Sequence, residues 1–305
     1  MVKKVSIIGV GGVGSNLAFH LLSRLDLEEL ILLDISGDLA KGIALDLEDT
    51  RAFLGFTTTI VGTHKWEKTK NSDIVVVSCG KARGEGQTRY DLLKENLRIA
   101  KEVALKIRRF SPFSIVIVVT NPVDFITYVI KKETGFERKR VMGLGGVLDG
   151  ARLINLIYKE TGLDVGSLEA LVVGFHSKDM IPLVSKMKVR GINLEELAER
   201  DKIETLKEKT KGRGAEIVKF LRTRSACFAP SLSAYHMVET VVKNKRRILC
   251  VSVYTKGEYG LRNICVGLPC IVGRSGIIKI VEVDLSPQER KALLDAERIF
   301  KECMI

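Results

Sequence analysis

No apolar run in this chain approaches the roughly 18 residues that a helix needs to cross a bilayer, which excludes an integral helical membrane protein. No secretory signal peptide is expected: Met1-Val2-Lys3-Lys4-Val5 leads straight into an apolar, strand-like segment ending at Ile8, a pattern unlike a hydrophobic leader with a cleavage site. There is no C-x-x-C and no Cys/His ligand spacing. The six cysteines (79, 227, 250, 265, 270 and 303) stand scattered in apolar surroundings, so free buried thiols are expected rather than disulfides or zinc, and no metal is required. A soluble protein of a reducing cytoplasm follows. Glutamine is confined to Gln87 and Gln288 while Lys, Arg and Glu abound, a composition resembling that of thermophiles. Internal repeats and low-complexity linkers are absent.

What is present is an ordinary folded composition, 46% hydrophobic and 28% charged over 305 residues, enough for one large domain or two moderate ones. The net charge of +12 permits nucleic-acid binding, and Arg138-Lys139-Arg140 and Lys243-Asn244-Lys245-Arg246-Arg247 are the densest basic clusters. Neither is interleaved with aromatics, so both read as solvated surface and no nucleic-acid partner is expected. A basic surface also raises the local concentration of small dianions.

Hydrophobic periodicity alternates along the first half. Lys4 to Ile8 reads as a strand, followed by a Gly-rich turn and by Leu17, Ala18, Leu21, Leu22 and Leu25 at helical spacing. Leu30 to Leu33, Ile74 to Val77 and Ser114 to Val119 are further buried strands, with a helix over Leu92 to Ile107. Strands alternating with helices predict an α/β fold with a doubly wound parallel sheet of the Rossmann type. After about residue 145 the pattern changes: a helix begins near Asp149, a strand runs from Leu168 to Val173, and an amphipathic stretch covers Leu194 to Lys209. Ile248 to Tyr254, Ile264 to Val272 and Ile277 to Val281 predict an antiparallel sheet, and Ser286-Pro287-Gln288-Glu289 the capped start of a last helix. The expected division is a dinucleotide-binding domain at 1–144 and an α+β substrate domain at 145–305.

Gly9-Val10-Gly11-Gly12-Val13-Gly14 matches G-x-G-x-x-G. Its place between a predicted strand and a predicted helix gives each glycine a physical reason: Gly9 allows a tight turn, Gly11 the approach of a pyrophosphate, and Gly14 close helix packing. Asp34 ends the second strand about twenty residues on, where a carboxylate accepts hydrogen bonds from ribose hydroxyls and repels a 2′-phosphate. NAD is therefore expected over NADP, with Ser36 and Lys41 leaving some room for the phosphate. Behind this fingerprint stand Arg83, Arg89, Asn121, Asp149, Arg152 and His176. Three guanidiniums suit a substrate with more than one carboxylate, and a His after an Asp suits proton transfer. Asp149 and Arg152, three apart at a helix start, share one face.

The segments Gly80 to Leu92, Val119-Thr120-Asn121-Pro122-Val123-Asp124, Gly146-Val147-Leu148-Asp149-Gly150-Ala151-Arg152 and Gly174-Phe175-His176 resemble, in order and over essentially the whole chain, the malate and lactate dehydrogenase family. Within it they are most similar to the malate dehydrogenases that are lactate-dehydrogenase-like in sequence. The resemblance implies His176 as acceptor of the substrate hydroxyl proton and Asp149 as the group that orients it. It implies Arg152 on the C1 carboxylate, Arg89 at the reacting carbonyl, and Arg83, where lactate enzymes typically carry glutamine, on a second carboxylate. Asn121 is implied to touch both substrate and nicotinamide ribose. Val119 and Thr120 beside it, and Asn96, are implied cofactor contacts, Asn96 having an exposed helical asparagine as its alternative.

Three departures accompany the match. His176-Ser177-Lys178 replaces His-Gly-Asp, and a serine tolerates positive φ less well than glycine, which implies a different local backbone. Gly84-Glu85-Gly86 replaces Lys-Pro-Gly in an expected lid running from Gly80 to Arg89, and Arg224-Ser225-Ala226 stands where glycine is common. The expected activity is NAD-dependent oxidation of (S)-malate, by a homotetramer or a dimer. Alternatives are another 2-hydroxy-acid dehydrogenase of the lactate type, a non-catalytic NAD-binding regulator, and, weakest, a nucleic-acid binder.

Overall fold

The computed structural model describes residues 2–81, 89–222 and 225–304, the side chains of 89–92 excepted. Six short strands form its centre, β1 (Lys4–Ile8), β2 (Glu29–Leu33), β3 (Thr59–Thr63), β4 (Ile74–Val77), β5 (Ile115–Val118) and β6 (Val141–Leu144), of which β1, β2, β4 and β5 are made mostly of Val, Ile and Leu. Their spatial order is β3-β2-β1-β4-β5-β6, all parallel, the order of a Rossmann sheet whose direction of winding reverses between β1 and β4. Successive side chains point to opposite faces, and both faces are covered. Ile74, Val76, Ile115 and Ile117 face α1 (Gly12–Arg24), while Val75, Val77, Val116 and Val118 pack with Ala100, Ala104 and Ile126 from the helices opposite. Each fully buried Val or Ile contributes about 1.5–3 kcal/mol, which is why β2, β4 and β5 above all read as apolar runs.

The remaining helices of this half are α2 (Gly37–Asp49), a single turn α3 (Arg51–Leu54), α4 (Arg89–Phe110) and α5 (Val123–Thr134). α6 (Gly146–Thr161) follows β6 directly. Beyond it come β7 (Val172–Val173) paired with β8 (Ile181–Pro182), the small hairpin of β9 (Lys188–Val189) and β10 (Ile192–Asn193), then α7 (Leu194–Leu197), α8 (Arg200–Leu221) and α9 (Phe228–Val242). The predicted strand over Leu168 to Val173 is shorter than expected. Val165–Ser167 forms a 3-10 turn, Leu168 makes only an isolated bridge to Val189, and the ladder proper is confined to two residues. The amphipathic stretch from Leu194 is likewise two helices, separated at Ala198, which is extended.

The antiparallel segments are present as β11 (Arg247–Lys256), β12 (Arg262–Gly273) and β13 (Gly276–Ile280), but not as a sheet apart. β11 pairs antiparallel with β6 through Val251 opposite Leu144 and Ser252 opposite Gly143, so nine strands make one continuous sheet. A Cβ on Gly143 would press into Ser252, Thr127 and Val123, and its absence lets the second half dock edge-on to the first. The last helix, α10 (Pro287–Met304), starts with the expected capping box: the Ser286 N–H donates to Glu289 Oε2 at 2.8 Å and the Glu289 N–H to Ser286 Oγ at 3.2 Å. Phe300 on α10 stacks on Phe125 of α5 at 4.9 Å between centroids, and Phe125 stacks in turn on Phe175 at 5.7 Å. That aromatic cluster pins the start of α5 against the segment entering His176. No helix among the described residues is long and apolar enough to cross a membrane.

Candidate active site

The Gly-rich turn lies at the carboxyl end of β1, beside the point where the sheet reverses direction. Gly9 has φ +92°, a left-handed conformation that favours glycine, and a Cβ there would strike the Cys79 backbone. A Cβ on Gly14 would collide with the Gly9 carbonyl oxygen, so α1 can sit this close to β1 only with glycine at that position. Above Gly11 there is open space, and Gly11 itself caps α1 without a side-chain hydrogen bond. The N–H groups of the helix start thus face an open approach suited to an anion. Asp34, half-buried at the end of β2, is held by two backbone donors: Val10 N–H to Oδ2 at 2.9 Å and Ser36 N–H to Oδ1 at 3.0 Å. The arrangement fits a dinucleotide, with phosphates over the turn and a ribose at Asp34.

Val119, Thr120 and Asn121 end β5 next to this turn. Thr120 Oγ1 donates to the Cys79 carbonyl at 2.7 Å, tying two strand ends together. Asn96 is 2% exposed, so the exposed-helix alternative does not hold. Its amide accepts the Lys81 N–H at 2.8 Å and donates to the carbonyls of Lys81 and Asn121 at 3.2 and 3.0 Å. Asn96 therefore fixes the backbone on either side of the site, while the Asn121 side chain is left exposed above the sheet. The Asn121–Pro122 bond is cis.

At the opposite side, α6 presents Asp149 in its first turn. Asp149 is 1% exposed and joins two predicted residues: Oδ2 lies 2.7 Å from His176 Nδ1, and Oδ1 accepts from Arg152 Nη1 at 3.1 Å. Burial of the His176 ring opposes its protonation. The Asp149 carboxylate, by charge and by hydrogen bond, overcomes that and raises the pKa above its ordinary value; Arg152 opposes the rise and Asp124 assists it. His176 Nε2 has no hydrogen-bond partner among the described residues. Arg152 Nε is buried with none either, and its guanidinium lies close to Gly214 of α8. An imidazole with a free Nε2 among the described residues and a buried guanidinium N–H without a partner there thus share one carboxylate, an arrangement suited to acid–base chemistry beside a bound anion.

The Ser177 turn closes by its own device. Ser177 keeps negative φ, its hydroxyl donates to Asp179 Oδ2 at 3.0 Å and accepts the Asp179 N–H at 3.1 Å. Sequence reasoning missed Asp124, whose Oδ2 accepts the His176 backbone N–H at 2.9 Å. Burial pushes its carboxyl up to about 6, against the opposing influence of the Ser252 hydroxyl and of His176, with the Asp149 charge adding to the rise. An acidic residue in the first turn of a helix directly after the Asn121-Pro122 segment was the available signal. Arg83 and the lid motif Gly84-Glu85-Gly86 lie outside the described residues, as does Arg224; Arg89 begins α4, and only its backbone is described.

The cations of the two basic clusters are mostly engaged within the fold. Arg138 pairs with Glu258 at 2.7 Å, Arg140 donates to the Pro112 carbonyl at 2.8 Å, and Lys243, Lys245 and Arg247 converge on Glu239. A groove of about 490 Å³, lined by Lys178, Asp179, Lys207, Glu208, Asp295 and Arg298 among others, lies apart from the constellation; none of His176, Asp149 and Arg152 lines it.

Comparison with known proteins bears on the same elements. The family profile for the NAD-binding domain of lactate/malate dehydrogenases matches residues 3–143, and that for their α/β C-terminal domain matches residues 146–304. The chain belongs to the lactate/malate dehydrogenase family. Among its relatives, the malate dehydrogenase of Bacillus israeli is 42% identical over 293 residues, 95% of this chain and 94% of that protein. That of Geobacillus thermodenitrificans is 41% identical over 304 residues, covering 99% and 97%. The crystal structure of malate dehydrogenase from Cryptosporidium parvum superposes with a TM-score of 0.95 at 35% identity, covering 99% of this chain and 98% of that one. A lactate dehydrogenase from the same organism, complexed with lactic acid and nicotinamide adenine dinucleotide, gives 0.93 at 29% identity, covering 99% and 97%. The two scores are nearly equal, so the dehydrogenase fold does not by itself separate the substrates; side chains must.

Proposed function

We propose that this family member is an NAD-dependent malate dehydrogenase that interconverts (S)-malate and oxaloacetate, with His176 as the proton acceptor. The observation that carries the reading is the shared carboxylate of Asp149, which binds His176 and Arg152 at once and leaves an Arg152 N–H buried with no partner among the described residues. That N–H is supplied with an acceptor when a substrate carboxylate docks. NAD, when bound, supplies the hydride acceptor. Asp149 holds the imidazole with Nδ1 protonated, so Nε2 takes the hydroxyl proton, and the adjacent carboxylate stabilises the imidazolium that results. Arg89 is assigned to the reacting carbonyl and Arg83 to the second carboxylate. These two roles rest on the matching sequence segments and on relatives that are themselves named malate dehydrogenase.

Asp34 supports the preference for NAD. With both oxygens fixed by backbone donors, its charge cannot easily swing away from a 2′-phosphate, and Lys41, 3.9 Å from Asp38, is partly engaged elsewhere. Gly9 to Gly14, Val119, Thr120 and Asn121 are assigned to the cofactor, Arg152 and Asn121 to substrate, and Asn96 to the walls between them. A substrate domain beginning at 145, a homotetrameric assembly and a cytoplasmic location complete the reading. Its test is NAD reduction with (S)-malate against (R)-malate: turnover confined to the (S) form supports it, and equal rates or none with either contradict it.

A further inference from the structure

Asp124 performs none of the chemistry above, yet it is placed at a cost. It is 4% exposed in the first turn of α5, its Oδ2 accepts the His176 N–H at 2.9 Å, and its Oδ1 is buried with no hydrogen-bond partner among the described residues. Ser252 Oγ on β11, fully buried and also without a geometrically formed hydrogen bond among the described residues, is near enough to the carboxyl to favour its ionised form. A buried polar group left without a partner is destabilising, and a carboxylate more so, so a residue that served only to fill space here would be apolar or neutral. The neighbours are fixed as well: Phe125 and Phe175, the residues next to Asp124 and His176, stack on one another at 5.7 Å.

We propose that Asp124 is a positioning residue for the proton transfer. It locks His176 through the main chain and adds a second carboxylate near the imidazole to the one that Asp149 supplies at the ring. Two negative groups then act on the base, and Ser252 stands ready to bond the free oxygen when Asp124 is ionised. The other titratable or charged groups facing this pair are Asp149 and Arg152 from α6 and Cys265 from β12, and Cys250 of β11 faces Asp149. Burial holds both thiols neutral. Asp124 and Asp149 are therefore the carboxylates able to favour the imidazolium from within the described residues, and Arg152 is the cation opposing it.

The kinetic part of the test rests on the malate dehydrogenase reading; the titration does not. Asp124→Asn keeps an acceptor for the His176 N–H and removes the charge, whereas Asp124→Ala removes both. In the cofactor-free protein, the chain's four histidines are followed by NMR, with His176 assigned from a His176→Asn variant. The His176 midpoint is expected at lower pH in Asp124→Asn than in wild type. In turnover, Asp124→Ala is expected to lose ~10- to 100-fold in kcat with KM for NADH unchanged, because the base is displaced and the cofactor site is not. A His176 titration in Asp124→Asn that coincides with wild type overturns the proposal, as does folded Asp124→Ala with wild-type kcat. If Asp124→Ala does not fold, the Asp124→Asn titration decides alone. Absence of turnover in wild type counts against the functional reading and leaves the titration result standing.

Discussion

Replacing Asp149 with asparagine perturbs the site in a way its geometry makes calculable. Asp149 is 1% exposed and gives one oxygen to His176 Nδ1 at 2.7 Å and the other to Arg152 Nη1 at 3.1 Å. Arginine is always a donor, so the amide must turn its oxygen toward Arg152 and its NH2 toward His176. The imidazole can then meet the NH2 only as an acceptor at Nδ1, which moves its proton to Nε2 and leaves no lone pair for the substrate hydroxyl. The analogous loss of tautomer in serine hydrolases costs about 10⁴-fold, and ~10³- to 10⁴-fold in kcat is expected here, about 4–5.5 kcal/mol of transition-state stabilisation. The pH dependence moves as well. Malate oxidation needs neutral His176, so activity falls as pH drops through the His176 pKa, which Asp149 raises against the effect of burial. Without that charge the acid limb shifts to lower pH. Steady-state kinetics from pH 5 to 9 with a separate NADH binding measurement is the assay. A folded Asp149→Asn variant with wild-type kcat and an unmoved acid limb would refute the tautomer argument.

Asp124→Asn carries a second, thermodynamic expectation. The Asp124 carboxyl is pushed up from 3.8 to about 6, so its ionisation opposes folding: the contribution of this one group to stability is fully present below pH 4 and is lost as pH rises through 6. The difference corresponds to about 3 kcal/mol at pH 8, and urea denaturation is expected to find Asp124→Asn more stable than wild type there by up to that amount, with the gap closing toward pH 4. Arg152→Lys removes the planar fork while keeping the charge, and kcat/KM for oxaloacetate is expected to fall ~10- to 100-fold with KM for NADH unchanged. Arg83→Gln is expected to lower the efficiency with oxaloacetate by ~10- to 100-fold, as for loss of a charged hydrogen bond, and to leave pyruvate efficiency nearly unaltered; parallel kinetics reads both.

Much of this was legible from residue pattern because the relevant forces are local. Strands buried on both faces must be continuously apolar, and β1, β2, β4 and β5 were visible for that reason. β3, with Thr59, Thr63 and Gly62 in an edge strand, and β6, four residues interrupted by Gly143, carry too weak an apolar signal to stand out. The union of the antiparallel segments with the parallel sheet depends on Gly143 meeting Ser252 across more than a hundred residues, which no local pattern encodes. In the site, the spacing of Asp149 and Arg152 on one helix face foretold their contact. The hold of Asp124 on the His176 main chain spans 52 residues and involves no side chain of the partner, so the one local signal was an acidic residue in the first helical turn after Asn121-Pro122, which does not name the partner.

The central claim is that this site is built for a dicarboxylate and for NAD. Turnover by the purified protein with oxaloacetate and with pyruvate, each with NADH and then NADPH, tests it most directly. The account predicts rapid oxidation of NADH with oxaloacetate, far slower reaction with pyruvate, and a lower efficiency with NADPH. A preference for pyruvate would contradict the role given to Arg83, and NADH binding without turnover of either acid would contradict the role given to His176.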